Sequence, residues 1–164
     1  MNETKHVAII MGSKSDEDKM KPAIDYLQSI GVPFEVRIAS AHRTPELLKQ
    51  IVGNPTFGIF IAGAGMAAAL PGCIAALTVR PVIGVPLSSK YGLEDSLLSI
   101  IQMPPGIPVN SVGIDAAKNA AIAACQILAL NDPKLAKKLQ EDREEAAAKV
   151  YADDTEISNR LSTP

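Results

Sequence analysis

The sequence is short of the residues on which many ligand sites depend. Its 164 residues include no tryptophan, only six other aromatic residues, two histidines and two cysteines. So few rings offer little for stacking nucleic-acid bases or for sandwiching a flavin. The net charge of -2 provides no basic footprint for nucleic acid either. We therefore expect neither a nucleic-acid partner nor a flavin cofactor.

Metal ligands and membrane segments are also scarce. Cys73 and Cys125 lie far apart and fit no metal or redox spacing, which predicts two free thiols in a reducing cytosol and no metal site. No apolar run reaches the roughly 18 residues that a membrane span needs. The polar start of the chain is unlike a signal peptide. These observations predict a cytoplasmic chain without a membrane segment.

The apolar residues that are present, 47% of the chain, are enough for one core, and the length predicts a single catalytic domain over residues 1–164. Short apolar runs that suit buried strands alternate with segments of helical spacing. This alternation predicts an α/β fold. We expect a three-layer α/β/α sandwich on a doubly wound, parallel, flavodoxin-like sheet in the order 2-1-3-4-5. The five predicted strands are 7–11, 34–38, 57–62, 81–85 and 109–114.

The C-terminal part of the chain differs in composition from the rest. Residues 132–152 are rich in charge, and a narrow apolar stripe runs through Leu135, Leu139, Ala146 and Val150. The pattern predicts an extra C-terminal helix. Such a stripe suits packing on the chain's own domain or on a neighbouring subunit, and the residues alone leave both open.

Ligands of doubly wound sheets bind at the carboxyl ends of the strands, and the first loop there contains Gly12, Ser13, Ser15 and Asp16. Backbone N–H groups at a helix start and two hydroxyls favour a phosphate. The Asp16 carboxylate suits ribose hydroxyls beside that phosphate. A structural alternative is that Ser15 and Asp18 form a capping box for the helix. The two interpretations are compatible.

The second loop, residues 40–45, places His42 beside Arg43. Histidine is the side chain best suited to exchanging a proton near neutral pH, and arginine suits phosphate or carboxylate groups. Thr44 and Pro45 fit the cap and first turn of a helix. A helix start alone does not explain the His-Arg pair at the end of a strand. We therefore interpret the pair as functional, with His42 as the candidate acid/base.

The third loop, residues 62–72, is built of small residues. Gly63, Gly65 and Ala68 imitate a dinucleotide-binding fingerprint, but the acid that such a site needs about 20 residues further on is missing. The small residues fit a close backbone approach to a small planar ligand, and close helix–sheet packing explains them comparably well. The Pro/Gly-rich segment 102–109 fits either a turn or a pocket wall.

Taken in order, four motifs carry a family resemblance. They are Gly-Ser-Lys-Ser-Asp at 12–16, Ser-Ala-His-Arg-Thr-Pro at 40–45, Ala-Gly-Ala-Gly to Leu-Pro-Gly over 62–72, and Gln-Met-Pro-Pro-Gly-Ile-Pro-Val at 102–109. Together they resemble the N5-carboxyaminoimidazole ribonucleotide mutases of purine biosynthesis, the purine biosynthesis carboxylase catalytic subunit family. The resemblance extends from about residue 6 to about residue 152.

The resemblance implies an isomerase that converts N5-carboxyaminoimidazole ribonucleotide to 4-carboxy-5-aminoimidazole ribonucleotide on the way to IMP. The carboxylate is released as CO2 in a closed pocket and recaptured at ring carbon C4. The implied partners are a ribonucleotide and CO2, with no metal, nucleotide triphosphate or organic cofactor. The family forms homo-octamers whose C-terminal helix reaches across neighbours, which implies such packing for residues 132–152.

Residue roles carry over from the same motifs. His42 is implied as the proton shuttle. Ser13, Asp16 and Arg43 are implied to bind the ribose phosphate, assisted by Ser15 and Ser40. The other implied substrate-binding positions are Gly12, Leu70 and the pair Ala64 and Gly65, whose backbone lines the pocket for the base and CO2.

The third loop departs from the family pattern. Ala69 stands where the family has a second histidine, and Met66 stands where it has a glycine. Two alternatives therefore stay open. The chain could carboxylate aminoimidazole ribonucleotide directly with free CO2, as a carboxy-lyase, or it could be a non-catalytic nucleotide-binding paralogue.

Overall fold

A computed structural model describes residues 6–90 and 94–162. The strands are β1 (His6–Met11), β2 (Phe34–Ile38), β3 (Phe57–Gly65), β4 (Val82–Leu87) and β5 (Asn110–Ser111). The helices are α1 (Glu17–Ile30), α2 (Pro45–Gly53), α3 (Leu70–Ala75), α4 (Glu94–Ile101), α5 (Ala117–Ala129) and α6 (Pro133–Leu161), and a 3-10 turn over Lys14–Asp16 precedes α1. The chain divides into two compact units, residues 1–124 and residues 125–164.

The first unit contains the predicted sheet. Its strands lie in the order β2-β1-β3-β4-β5, and every neighbouring pair is parallel. The predicted doubly wound, flavodoxin-like α/β fold is therefore confirmed. Because all strands point the same way, their carboxyl ends meet at one edge of the sheet. The loops that follow Met11, Ile38, Gly65 and Leu87 share that edge.

Helices cover both faces of this sheet, which explains why its central strands are apolar throughout. On one face, Ala8 and Phe60 belong to a buried cluster with residues of α2, α3 and α4. On the other face, Met20 of α1 occupies the space that a Cβ on Gly63 would need. A larger residue at position 63 would force the Met20 side chain to move.

Only β2 has the predicted bounds; β1 and β4 differ by one or two residues at an end, and β3 and β5 differ by more. Strand β3 continues past residue 62 to Gly65, because Ala64 and Gly65 pair with Pro86 and Leu87 of β4. The fifth strand is much shorter than the predicted 109–114, since only Asn110 and Ser111 pair, and both are exposed. The side chains of this edge strand are exposed, so little apolar burial stabilises further pairing with β4 beyond these two residues.

The second unit contains the predicted C-terminal helix, α6, which begins after Asp132. The Asp132 side chain accepts hydrogen bonds from the N–H groups of Lys134 and Leu135, which fixes the helix start. The helix ends at Leu161 rather than at residue 152, because apolar residues continue at helical spacing beyond Val150. The single catalytic domain and the packing of residues 132–152 on a neighbouring subunit stay predictions.

Both cysteines are free thiols. Burial, reinforced by the negative charge of Asp142, raises the pKa of Cys125 to about 11, which makes this thiol unreactive at neutral pH. Within residues 6–90 and 94–162, no helix has the length and apolar character required to cross a membrane.

Candidate active site

A cleft of about 480 Å³ lies at the carboxyl edge of the sheet. It is lined by every residue for which the sequence predicts a role in substrate binding or catalysis: Gly12, Ser13, Ser15, Asp16, Ser40, His42, Arg43, Ala64, Gly65 and Leu70. The lining also includes residues for which no role was predicted: Ala41, Met66, Ala67, Ala69, Leu87, Ser88 and Ser89. Four segments that are distant in sequence, the three predicted loops and residues 87–89, thus meet in one cavity.

The first loop is ordered by its own hydroxyls. The Ser13 hydroxyl accepts hydrogen bonds from the Ser15 backbone N–H at 3.3 Å and from the Ser15 hydroxyl at 3.0 Å. Ser13 therefore caps the 3-10 turn. The predicted capping box of Ser15 and Asp18 is wrong, because the cap position of α1 falls on Asp16, whose side chain makes no capping hydrogen bond. Without a capping bond to make, the Asp16 carboxylate lies in the cleft.

Burial raises the pKa of the Asp16 carboxyl above its ordinary value, although hydrogen bonds from Ser13 and Ser15 and the charges of Lys19 and Arg43 act in the opposite direction. Protein stability is therefore lowered when this carboxylate is charged. A carboxylate that is costly to charge in the free protein suits ligand binding, because hydrogen bonds from a ligand stabilise its charged form. Ribose hydroxyls are such a ligand, because they donate hydrogen bonds to it.

We predict that Asp16→Asn weakens ligand binding and slightly stabilises the fold. Loss of a charged acceptor costs about 1.5–3 kcal/mol, so Kd should rise about 10- to 100-fold. Between the ordinary and the raised pKa of Asp16 the unfolded chain binds fewer protons, so stability falls as pH rises through that interval. The variant lacks this penalty, and its free energy of unfolding at pH 7 should rise by less than about 1 kcal/mol, given the solvent screening.

Calorimetric titration with a ribonucleotide and thermal unfolding at several pH values measure both effects. The stability gain should vanish below pH 3.8, the ordinary pKa of this carboxyl, where both forms are protonated. Asp18→Asn, on the exposed side of the same helix turn, is the matched control and should change neither quantity. A lower stability of Asp16→Asn at pH 7 would contradict the burial argument.

The second loop closes on itself. The Ser40 backbone N–H donates to the Thr44 hydroxyl at 2.9 Å, and the Thr44 N–H donates to the Ser40 carbonyl at 2.9 Å. Thr44 occupies the cap position of α2 as predicted, but its hydroxyl makes no capping bond to the helix. Its hydroxyl instead stabilises the turn that presents His42 and Arg43.

Arg43 links this turn to the first loop. Its Nη2 donates to the Gly12 carbonyl at 2.9 Å, and its Nε donates to the Ser40 hydroxyl at 3.3 Å. Guanidinium has five N–H donors, so donors remain for an anion in the cleft. His42 is exposed in the same turn, and within the described part of the chain no group hydrogen-bonds to its imidazole. The imidazole is therefore available to a ligand.

The third loop combines close packing with local strain. A Cβ on Gly65 would lie 3.3 Å from the Leu87 carbonyl, so Gly65 lets β3 approach β4 closely, and it also lines the cleft. Close helix–sheet packing is observed at Gly63, against Met20 of α1, while a close backbone approach to a planar ligand stays a prediction. Met66 has a φ of 56°, in the left-handed region that favours glycine. For a residue with a side chain this conformation costs about 1 kcal/mol or more.

The segment 102–109 is not a wall of this cleft, since none of its residues lines it. Met103 lies against Gly72, 3.1 Å from where a Cβ would be, and Val109 lies 3.2 Å from the corresponding position of Gly84. Met103 and Val109 therefore pack against α3 and β4 at the border of the core, and most of the segment is exposed. Among residues 6–90 and 94–162, no group of three or more His, Cys, Asp or Glu side chains could hold a metal ion.

One polar cluster at this edge was not predicted. Lys19 of α1, Ser88 after β4 and Asp115 after β5 are connected by hydrogen bonds and one ion pair. The only signal in the sequence is that Ser88 and Asp115 follow strands whose carboxyl ends share one edge. Their pairing depends on loop geometry that residue types do not reveal.

The fold and the cleft define the class of protein. A doubly wound sheet that brings an arginine, a carboxylate and an exposed imidazole together in one cleft at its carboxyl edge is typical of a small α/β enzyme. The AIR carboxylase family model matches residues 6–149, and the chain belongs to this family.

Named relatives agree with this assignment. The N5-carboxyaminoimidazole ribonucleotide mutase of Methanocaldococcus jannaschii is 56% identical over 151 residues, which cover 92% of this chain and 96% of the relative. The mutase of Pyrococcus abyssi is 54% identical, over 85% of this chain and 82% of the relative. Among solved structures, Treponema denticola PurE has a TM-score of 0.81 at 29% identity, covering 97% of this chain and 99% of that chain.

Proposed function

We propose that this chain is an N5-carboxyaminoimidazole ribonucleotide mutase, an isomerase that moves a carboxylate from the exocyclic nitrogen to C4 of the imidazole. The observation that carries the proposal is the meeting of all three loop motifs in one cleft. Its relatives at 49% to 56% identity bear this enzyme's name. The activity places the chain in purine biosynthesis.

In this proposal each part of the substrate has its own place in the cleft. Ser13 and Arg43 bind the phosphate, assisted by Ser15 and Ser40. Asp16 accepts hydrogen bonds from the ribose hydroxyls. The base then extends toward Ala64, Gly65 and Leu70, where the wall is small and apolar.

His42 transfers the protons. Cleavage of the bond between the exocyclic nitrogen and the carboxylate carbon releases CO2, and the nitrogen takes a proton from His42. Ring carbon C4 then forms a bond to the captive CO2, and the hydrogen on C4 leaves as a proton to His42. The imidazole ends in its starting state, so one histidine serves both half-reactions.

The cleft wall bears on the recapture of CO2. Ala64 and Leu70 are buried, and they line the cleft together with Gly65. These three residues offer no hydrogen-bonding side chain that would hold water beside the base, which favours recapture of CO2 at C4.

Direct carboxylation of aminoimidazole ribonucleotide by free CO2 is the second candidate. It is favoured by Ala69, which lines the cleft where the family pattern has a second histidine. The two reactions differ in their need for bicarbonate, because only direct carboxylation consumes CO2 from solution.

The mutase proposal is tested by incubating purified wild-type protein and Ala69→His with the N5-carboxy substrate in the absence of ATP. We expect both proteins to form the C4-carboxylated product, with at most about a tenfold difference in kcat, because His42 supplies the proton in both. A wild type that shows no interconversion contradicts the mutase, and strict dependence of the forward rate on added bicarbonate supports direct carboxylation. Binding without turnover supports the non-catalytic alternative.

We also propose a homo-octamer in the cytoplasm. The proposal is supported by apolar side chains along the second half of α6, where Val150, Tyr151, Ile157 and Leu161 are exposed to solvent. Two free thiols are in keeping with a reducing compartment. Light scattering behind a sizing column measures the mass, and a monomer would contradict the octamer.

A further inference from the structure

The cluster of Lys19, Ser88 and Asp115 has no part in the proposed chemistry. Lys19 Nζ donates to the Ser88 carbonyl and, at 2.6 Å, to the Ser88 hydroxyl. The Asp115 carboxylate accepts from the Ser88 N–H at 2.9 Å and from the Ser88 hydroxyl at 2.5 Å. Every polar group of Ser88 is therefore engaged by one of two charged side chains.

This cluster joins three segments at the carboxyl edge. Lys19 lies in the first turns of α1, Ser88 directly follows β4, and Asp115 follows β5. Lys19 and Asp115 also approach each other to 3.7 Å. Asp115 adopts a φ of 55°, and its backbone N–H donates to the Pro86 carbonyl at 2.9 Å. The strained backbone of Asp115 is held at its N–H by Pro86 and at its carboxylate by Ser88, which indicates that the position of the carboxylate is tightly determined.

The charges themselves contribute little to stability. The Lys19 and Asp115 side chains are 36% and 39% exposed, so solvent screens their attraction. Burial raises the pKa of Asp115, but the hydrogen bonds from Ser88 and the charge of Lys19 outweigh it, and the pKa lies below its ordinary value. The carboxylate is thus ionised at neutral pH, which keeps both of its oxygens as acceptors for Ser88.

The cluster reaches the substrate pocket through the end of β4. Ser88 and its neighbour Leu87 line the cleft. The Leu87 carbonyl lies 3.3 Å from where a Cβ on Gly65 would be, so β3 and β4 touch closely at the proposed base and CO2 pocket. A shift of Ser88 would move Leu87 and open this contact.

We propose that Lys19 and Asp115 are positioning residues that hold Ser88, and through it the end of β4, at the distance that the bound base requires. This inference rests on the proposed function, because it assigns the wall formed by β4 to the base of that substrate. Neither residue touches the reacting atoms. Their effect is on the width of the cleft and therefore on substrate affinity.

The test compares Lys19→Met and Asp115→Asn with wild type in the mutase assay. Each variant loses a charge-assisted hydrogen bond to Ser88, so we expect KM to rise about tenfold, kcat to change less than about threefold, and Tm to shift by at most about 3 °C. The double variant should have a KM within about twofold of either single variant, since both act through Ser88. Asp115→Asn is the more specific test, because Lys19 also lies near Asp16 and Lys19→Met would change the charge around that proposed ligand-binding residue.

Lys21→Met is the matched control. Lys21 pairs with Asp25 at 2.5 Å on the exposed side of the same helix. The Lys21→Met variant therefore loses a similar ion pair without a change in the cleft. Its KM should equal that of wild type. An unchanged KM in Asp115→Asn would overturn the proposal, as would additive effects in the double variant.

A second measurement separates this proposal from the proposed function. Product binding by calorimetry reports the cleft directly, without turnover. If wild type binds the product but shows no interconversion, the mutase is contradicted, while a tenfold weaker Kd in Asp115→Asn still supports the positioning role. If wild type turns over and the variants bind the product as tightly as wild type does, only the positioning role is contradicted.

Discussion

Replacement of His42 by asparagine is expected to lower kcat about 1,000-fold while the Kd of the product changes less than about threefold. Asparagine is close to histidine in size and can form a hydrogen bond, but it cannot carry a proton from one half-reaction to the other. His42 is exposed on a turn that Ser40 and Thr44 hold closed, so its replacement should leave the fold intact.

The measurement combines steady-state kinetics with calorimetric titration of the product. His6→Asn is the matched control, because His6 begins β1 and does not line the cleft. This control should retain the wild-type kcat. Full activity in His42→Asn would remove His42 from the mechanism, and a large loss of binding with unchanged kcat would make it a binding residue instead.

Replacement of Arg43 by glutamine is expected to raise the Kd of the ribonucleotide about 100-fold. The guanidinium is fixed by the Gly12 carbonyl at 2.9 Å and by the Ser40 hydroxyl at 3.3 Å, so its remaining donors are preorganised toward the cleft. Two charge-assisted hydrogen bonds to phosphate are worth about 3 kcal/mol together, which is about a 100-fold change in Kd. Arg43→Lys should retain only part of the affinity that Arg43→Gln loses, because a lysine cannot bind the Gly12 carbonyl and the phosphate in the same geometry.

The nucleoside that lacks the phosphate provides the decisive comparison for Arg43. Wild type and Arg43→Gln should bind the nucleoside equally weakly if Arg43 contacts only the phosphate. Arg37→Gln, on the exposed edge strand β2 where Arg37 pairs with Glu35, is the control and should bind the ribonucleotide like wild type. An equal loss of nucleoside affinity in Arg43→Gln would place Arg43 on another part of the ligand.

Most of the fold could be predicted because its central strands are short, apolar and separated by helices with clear stop signals. Gly31, for example, ends α1 in the left-handed conformation with a φ of 77°, where its N–H donates to the Leu27 and Gln28 carbonyls. The ends of β3 and β5 could not be predicted. Whether Gly65 or Ser111 continues a strand depends on the neighbouring strand, which a local pattern does not contain.

The candidate site divides in the same way. His42, Arg43 and Asp16 could be predicted because each lies in the loop that follows a predicted strand, and parallel strands bring such loops together at one edge. The contacts that hold these three side chains in place could not be predicted. The Arg43 bond to Gly12 spans two loops, and the cluster around Ser88 needs Asp115 in a left-handed conformation that few non-glycine residues adopt.

The most direct test of the central claim follows the carboxylate carbon. Substrate labelled with ¹³C in the N5-carboxylate is converted by the wild-type protein, without ATP, in an excess of unlabelled bicarbonate. If CO2 is released and recaptured within the cleft before it exchanges with solution, the C4-carboxylate of the product should retain the label. A product in which the label has been lost to unlabelled CO2 from solution would contradict the mutase and establish direct carboxylation.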